Sequence, residues 1–92
     1  MFTKGKYVIG ELPQIVGSNL GAVIVSEAFG HDVAARCFLP GTIRSAGFFH
    51  VTQDKDGEGY LCLKVVTYGE SVGLQVKSDP KDQRLVAQAL GL

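Results

Sequence analysis

The second half of the chain carries the clearest pattern of hydrophobic and polar positions. Residues 43–53, 60–68 and 71–77 are short runs rich in β-branched and aromatic residues, as strands are. Asp54-Lys55-Asp56-Gly57-Glu58-Gly59 separates the first two and has loop chemistry. Gly69-Glu70 separates the second and third, and a leading glycine marks a two-residue type II′ turn.

Parity then sets a register, because successive side chains point to opposite faces. With Tyr68 opposite Ser71, Thr67 faces Val72, Val65 faces Leu74 and Leu63 faces Val76. Pairing Phe49 with Leu63 places Val51 opposite Leu61 and Gly47 opposite Val65, on the same apolar face. The pattern predicts an antiparallel three-stranded meander with residues 60–68 central. Its other face carries Arg44, Ala46, Phe48, His50, Cys62, Lys64, Val66, Tyr68, Gln75 and Lys77. That face is too apolar to lie bare in water, so the N-terminal strands or a second copy of the chain should cover part of it.

The C-terminus reads as a helix with both ends marked. Asp79 is the expected N-cap and Pro80 the first helical residue. Asp82 adds an acidic group to the first turn, favourable against the helix dipole. Leu85, Val86, Ala89 and Leu90 form its apolar stripe, and Gly91 is the stop. So short a helix is unstable alone and should lie on the apolar sheet face. In the N-terminal half, Lys6–Leu12 and Ala22–Phe29 read as strands joined by Pro13–Gly21. Residues 30–38 fit either a helical turn or two, capped by His31 or Asp32, or a strand. Pro40-Gly41 is a turn. The expected fold is α+β: a twisted antiparallel sheet of about five strands with one C-terminal helix.

Composition narrows the class. Ninety-two residues, 46% of them hydrophobic, make one domain over 1–92, since two would each lack a core. Twelve glycines are nearly twice the usual share of roughly 7% and favour turns and strands. Nine basic and nine acidic side chains cancel, which argues against a nucleic-acid partner and a polybasic membrane anchor. No signal-length or membrane-length apolar run occurs. A cytoplasmic setting is the expectation, with Cys37 and Cys62 reduced.

Three marks then line up: Ser45-Ala46-Gly47-Phe48 opening a strand, Tyr68-Gly69-Glu70-Ser71 at a turn, and Val76-Lys77-Ser78-Asp79-Pro80 leading into the last helix. Together, over roughly residues 23 to 90, they resemble a group of short uncharacterised bacterial proteins found among phage and mobile accessory genes, integron cassettes included. His31-Asp32-Val33-Ala34 falls between an early strand and the SAGF strand in that group too. No activity is attached to the group, so the resemblance implies no functional residue.

Candidate chemistry is sparse. Aligning Gly57 with the glycine of a calcium loop gives ligands at Asp54 and Asp56, but Thr52 and Leu63 occupy two key ligand places. His50 and Cys62 sit opposite each other in the expected register, the right pair for a nucleophile and base or half a zinc site, and His31 and Cys37 would complete four ligands. Their spacings match no common zinc pattern, and no third group orients the pair. Ser18 and Ser26 lack a hydrolase elbow, and the glycines make no phosphate loop. Gly17-Ser18-Asn19-Leu20-Gly21 reads as a connection rather than an anion site. Phe48 and Tyr68 with Arg44, Lys64 and Lys77 have the chemistry of a single-strand platform, without its aromatic motif. No cofactor, metal or catalytic residue is expected. The expected function is a self-associating interaction module, a homodimer, using Arg44, Phe48, His50, Cys62, Lys64, Val66 and Tyr68. The alternative is a small-ligand or single-stranded nucleic-acid binder on that same face.

Overall fold

In the computed structural model, residues 3–13 and 20–92 are described. They form β1 (Lys4–Glu11), β2 (Leu20–Val25), α1 (His31–Ala35), β3 (Ser45–Lys55), β4 (Leu61–Tyr68), β5 (Glu70–Ser71), β6 (Val76–Lys77) and α2 (Asp82–Leu90). The class is α+β, with a C-terminal helix as expected. The main sheet is antiparallel and has the order β2-β1-β3-β4, and β5 and β6 form a separate two-stranded sheet. No helix among the described residues is long and apolar enough to cross a membrane.

β1 lies inside the sheet because Tyr7, Val8 and Ile9 are an unbroken apolar run, the signature of a strand buried on both faces. Tyr7 and Ile9 point to one side, with Phe49, Val65 and Val86; Val8 points to the other, with Ala34, Phe38 and Ala46. The first side is roofed by α2. The second, the outer face, is partly roofed by α1 and by Leu74 and Val76.

Three expectations about the meander are corrected. Residues 60–68 are an edge strand, not a central one. The β3–β4 register places Phe49 opposite Thr67 and Val51 opposite Val65, four residues from the expected pairing. Turn chemistry decides this. Asp56 Oδ1 accepts from the Glu58 and Tyr60 N–H groups, and Gly59 holds the left-handed conformation at φ 87°. The hairpin therefore turns through residues 57–59. An even shift leaves every side chain on its predicted face, so the apolar pattern alone does not resolve it. Finally, residues 71–77 do not return along β4. Gly69, at φ 78°, turns the chain out of the sheet, and Glu70 and Ser71 pair with Lys77 and Val76 instead. Leu74 and Val76 then pack on the outer face with Val8 and Ala46, not against Val65 and Leu63.

The helix ends also differ in detail. α1 begins after Gly30 with no side-chain cap, so neither His31 nor Asp32 caps it. α2 begins at Asp82, after a turn in which Asp79 Oδ1 accepts from the Lys81 N–H at 2.9 Å. Asp79 thus caps the lead-in turn rather than the helix proper. Gly91 ends α2 as expected, at φ 79°. Its N–H donates to Gln88 and that of Leu92 to Ala87, a Schellman closure. Ala87 packs on the core cluster, and Ala89, expected in the stripe, is exposed.

Candidate functional site

The β3–β4 hairpin puts six of the seven candidate residues on the outer face. Phe48 lies opposite Tyr68 and His50 opposite Val66, while Cys62 and Lys64 lie further out, opposite Asp54 and Thr52. Arg44 precedes β3 and is exposed. Phe48 stacks on Tyr68 with ring centroids 5.8 Å apart, His50 tilts against Tyr68 at 5.5 Å, and His31 meets Phe48 edge-on at 5.3 Å. His50 and Cys62 are not neighbours. The four-residue register shift separates them by roughly 13 Å along the strand, which removes the nucleophile–base pair. Among the described residues, no three His, Cys, Asp or Glu side chains gather to hold a metal ion.

His31 is the outer-face residue whose role the sequence did not reveal. It is buried, and its Nε2 lies 2.8 Å from the Gly47 carbonyl oxygen. A carbonyl only accepts, so Nε2 carries the hydrogen and Nδ1 is the remaining polar atom of the ring. Between the start of α1 and residues 70–74 lies a cleft of about 450 Å³. Lys6, His31, Asp32, Phe48, Glu70 and Ser71 line it, so it offers an aromatic ring and both signs of charge. A larger concavity of about 870 Å³ lies along α2, lined by Leu20, Pro80, Lys81, Arg84, Leu85 and Gln88.

The free edge of β4 was not anticipated. Asp56 N–H donates to the Tyr60 carbonyl at 3.0 Å. In an antiparallel ladder such bonded pairs alternate. Cys62, Lys64, Val66 and Tyr68 therefore direct their backbone groups to β3. Leu61, Leu63, Val65 and Thr67 direct theirs outward, where the main sheet has no further strand among the described residues. The side chains there are apolar: Tyr60 is 68% exposed, Leu61 69% and Leu63 46%. They project beyond the part of the sheet that α2 covers, where Val65 is buried and Leu63 is not. Lys64 is the one charged side chain in β4.

On the α2 side, Asp82 forms a buried cluster. It accepts from Tyr7 Oη at 2.6 Å, from Ser45 Oγ at 2.8 Å and from the Asp79 N–H at 2.9 Å. Burial, and then the Asp82 carboxylate beside it, hold the Tyr7 hydroxyl far above the usual phenol range. The cluster is closed to solvent and joins β1, β3 and α2.

The chain matches no protein-family model, no curated protein and no solved structure in the three comparisons.

Proposed function

We propose that this chain is a self-associating interaction module whose docking element is the free edge of β4. One observation carries the reading: outward-directed backbone groups at Leu61 and Leu63 coincide with bare apolar side chains at the same residues. Strand edges of this kind pair with another strand unless charge, proline or a bulge protects them, and β4 has a single lysine and no proline. A second copy is the favoured occupant. Its own β4 supplies the same unpaired groups and the same leucines, and the chain has no net charge to repel a twin. This moves the docking surface from the expected outer face, where α1 and residues 70–77 already cover part of the apolar area, to the strand beside it.

The edge is short, so the dimer belongs at the small end of interface sizes, with a Kd in the micromolar range. Multi-angle light scattering across a concentration series tests it. Twice the monomer mass is expected at roughly 100 μM, with dissociation on dilution. Leu63→Lys should give a folded monomer at every concentration, because Leu63 is already half-exposed. A wild-type chain that stays monomeric at the top of the series removes the reading.

A second reading rests on the outer-face cleft, whose volume falls in the small-ligand range. The Phe48 ring suits a flat apolar group, Lys6 an anion, and Asp32 and Glu70 an amine. A thermal-shift screen with nucleosides, amino acids and short oligonucleotides tests it. A stabilising hit that Phe48→Ala abolishes supports it, and no shift from any of them counts against it.

A further inference from the structure

We infer that two copies join β4 to β4, antiparallel, about a two-fold axis through Leu63, so that two four-stranded sheets become one of eight strands. The inference rests on the self-association proposed above and deepens it by specifying how the edges meet.

Parity, charge and overlap select this register. Opposed residues in an antiparallel pair point to the same face, and the free edge offers the groups of Leu61, Leu63, Val65 and Thr67. Each permitted register therefore pairs odd residues with odd ones. A two-fold axis then passes through one residue of β4, which faces its own copy. With the axis at Lys64, two ammonium groups stand directly opposite, which is repulsive. With the axis at Cys62, Leu61 meets the partner's Leu63 and β4 ends there, so the overlap is short. With the axis at Val65, Leu63 faces the partner's Thr67, whose hydroxyl is buried, and Leu61 runs out against the Gly69 turn.

The axis at Leu63 avoids all three faults. Leu63 meets the partner's Leu63, and Leu61 meets the partner's Val65 on each side. These pairs supply about six backbone hydrogen bonds. Leu61 then extends the apolar layer that Val65 forms beneath α2 in the other copy. On the outer face Cys62 lies opposite the partner's Lys64, so no like charges oppose each other.

Cysteine cross-linking distinguishes these arrangements, in a Cys37→Ser background because Cys37 is also exposed. With Leu63 on the axis, the two Cys62 residues are diagonal neighbours, with Cα atoms about 8 Å apart, too far for a disulfide. Adding Lys64→Cys places each Cys62 directly opposite a cysteine at a non-hydrogen-bonded position, within disulfide range. Treatment with diamide should leave the Cys37→Ser protein largely uncross-linked. It should convert the Lys64→Cys variant to a covalent dimer whose peptide map shows Cys62 joined to position 64 of the other copy. Efficient joining of Cys62 to Cys62 instead, or a dimer by light scattering in which neither protein cross-links, overturns the Leu63 axis while leaving self-association standing. A monomer by light scattering overturns both. Lys64 is exposed, so the variant should fold, and its circular dichroism should match that of the parent.

Discussion

Asp82 illustrates how one side chain acquires a role from its neighbours. Its place in the first turn of a helix is ordinary dipole chemistry, yet it is only 4% exposed and accepts three hydrogen bonds. A buried carboxylate with its donors in place is stable, whereas donors left without it are costly. Asp82→Ala should therefore lose about 2–5 kcal/mol in urea unfolding, since it leaves several donors unsatisfied, and Tyr7→Phe about 1.5–3 kcal/mol. Tyr7 also brings a pH dependence. Its folded-state pKa is raised, so the folded chain keeps a proton that the unfolded chain gives up. Its contribution is complete below the ordinary phenol pKa of about 10 and declines as pH rises above it. Urea midpoints followed from pH 8 to pH 11 should fall at the alkaline end in the wild type, and Tyr7→Phe should flatten that fall. His50 and Cys62, with the pairing between them gone, should be replaceable by alanine and serine without loss of the fold.

Among the elements, the decisive one is the segment after β4. Gly69 takes a conformation that only glycine adopts cheaply, and an added Cβ would also strike the Phe48 ring. The chain leaves the sheet there, and residues 70–77 fold over the outer face instead of extending the edge. Gln75, a non-glycine residue at φ 58°, closes that excursion under strain. Gln75→Gly should relieve it, and an increase in stability of about 1 kcal/mol is the expected result by thermal or urea unfolding. Gly47 is constrained in another way. A Cβ there would overlap the Tyr68 carbonyl oxygen, so Gly47→Ala should destabilise the β3–β4 pairing, read as faster amide exchange across that ladder.

For the molecule as a whole, the same excursion has two results. It covers the outer face around Ala46, where the N-terminal strands or a second copy were the expected cover, and it leaves β4 unpaired along its outer side among the described residues. The apolar surface open to a partner moves with it, from a sheet face to a sheet edge. The principal extents of 44 × 30 × 21 Å describe an elongated body, and the bare leucines lie on the hairpin that extends past the helix. Pairing at that edge should be visible in solution as protection of the Leu61, Leu63 and Val65 amides at high concentration. That protection should disappear on dilution or in Leu63→Lys.

Much of this was legible in the chain. Alternation placed each strand residue of the hairpin on its correct face, because side-chain parity is a local property of extended backbone. Gly91 marked the helix end, and the α+β class followed from the succession of short strands and one amphipathic helix. The central position of β1 was also readable in Tyr7-Val8-Ile9, although a single register that satisfied both hairpins pointed to 60–68 instead. Register and strand order were decided by tertiary structure. A shift of four residues keeps every face, so only the Asp56–Gly59 turn distinguishes the two pairings. Likewise, Leu74 and Val76 fit a third strand and an outer-face cover equally well by pattern. The cover buries them against Val8 and Ala46, a contact between residues far apart in the chain that local pattern cannot weigh. The free edge of β4, and with it the candidate site, exists because that contact won.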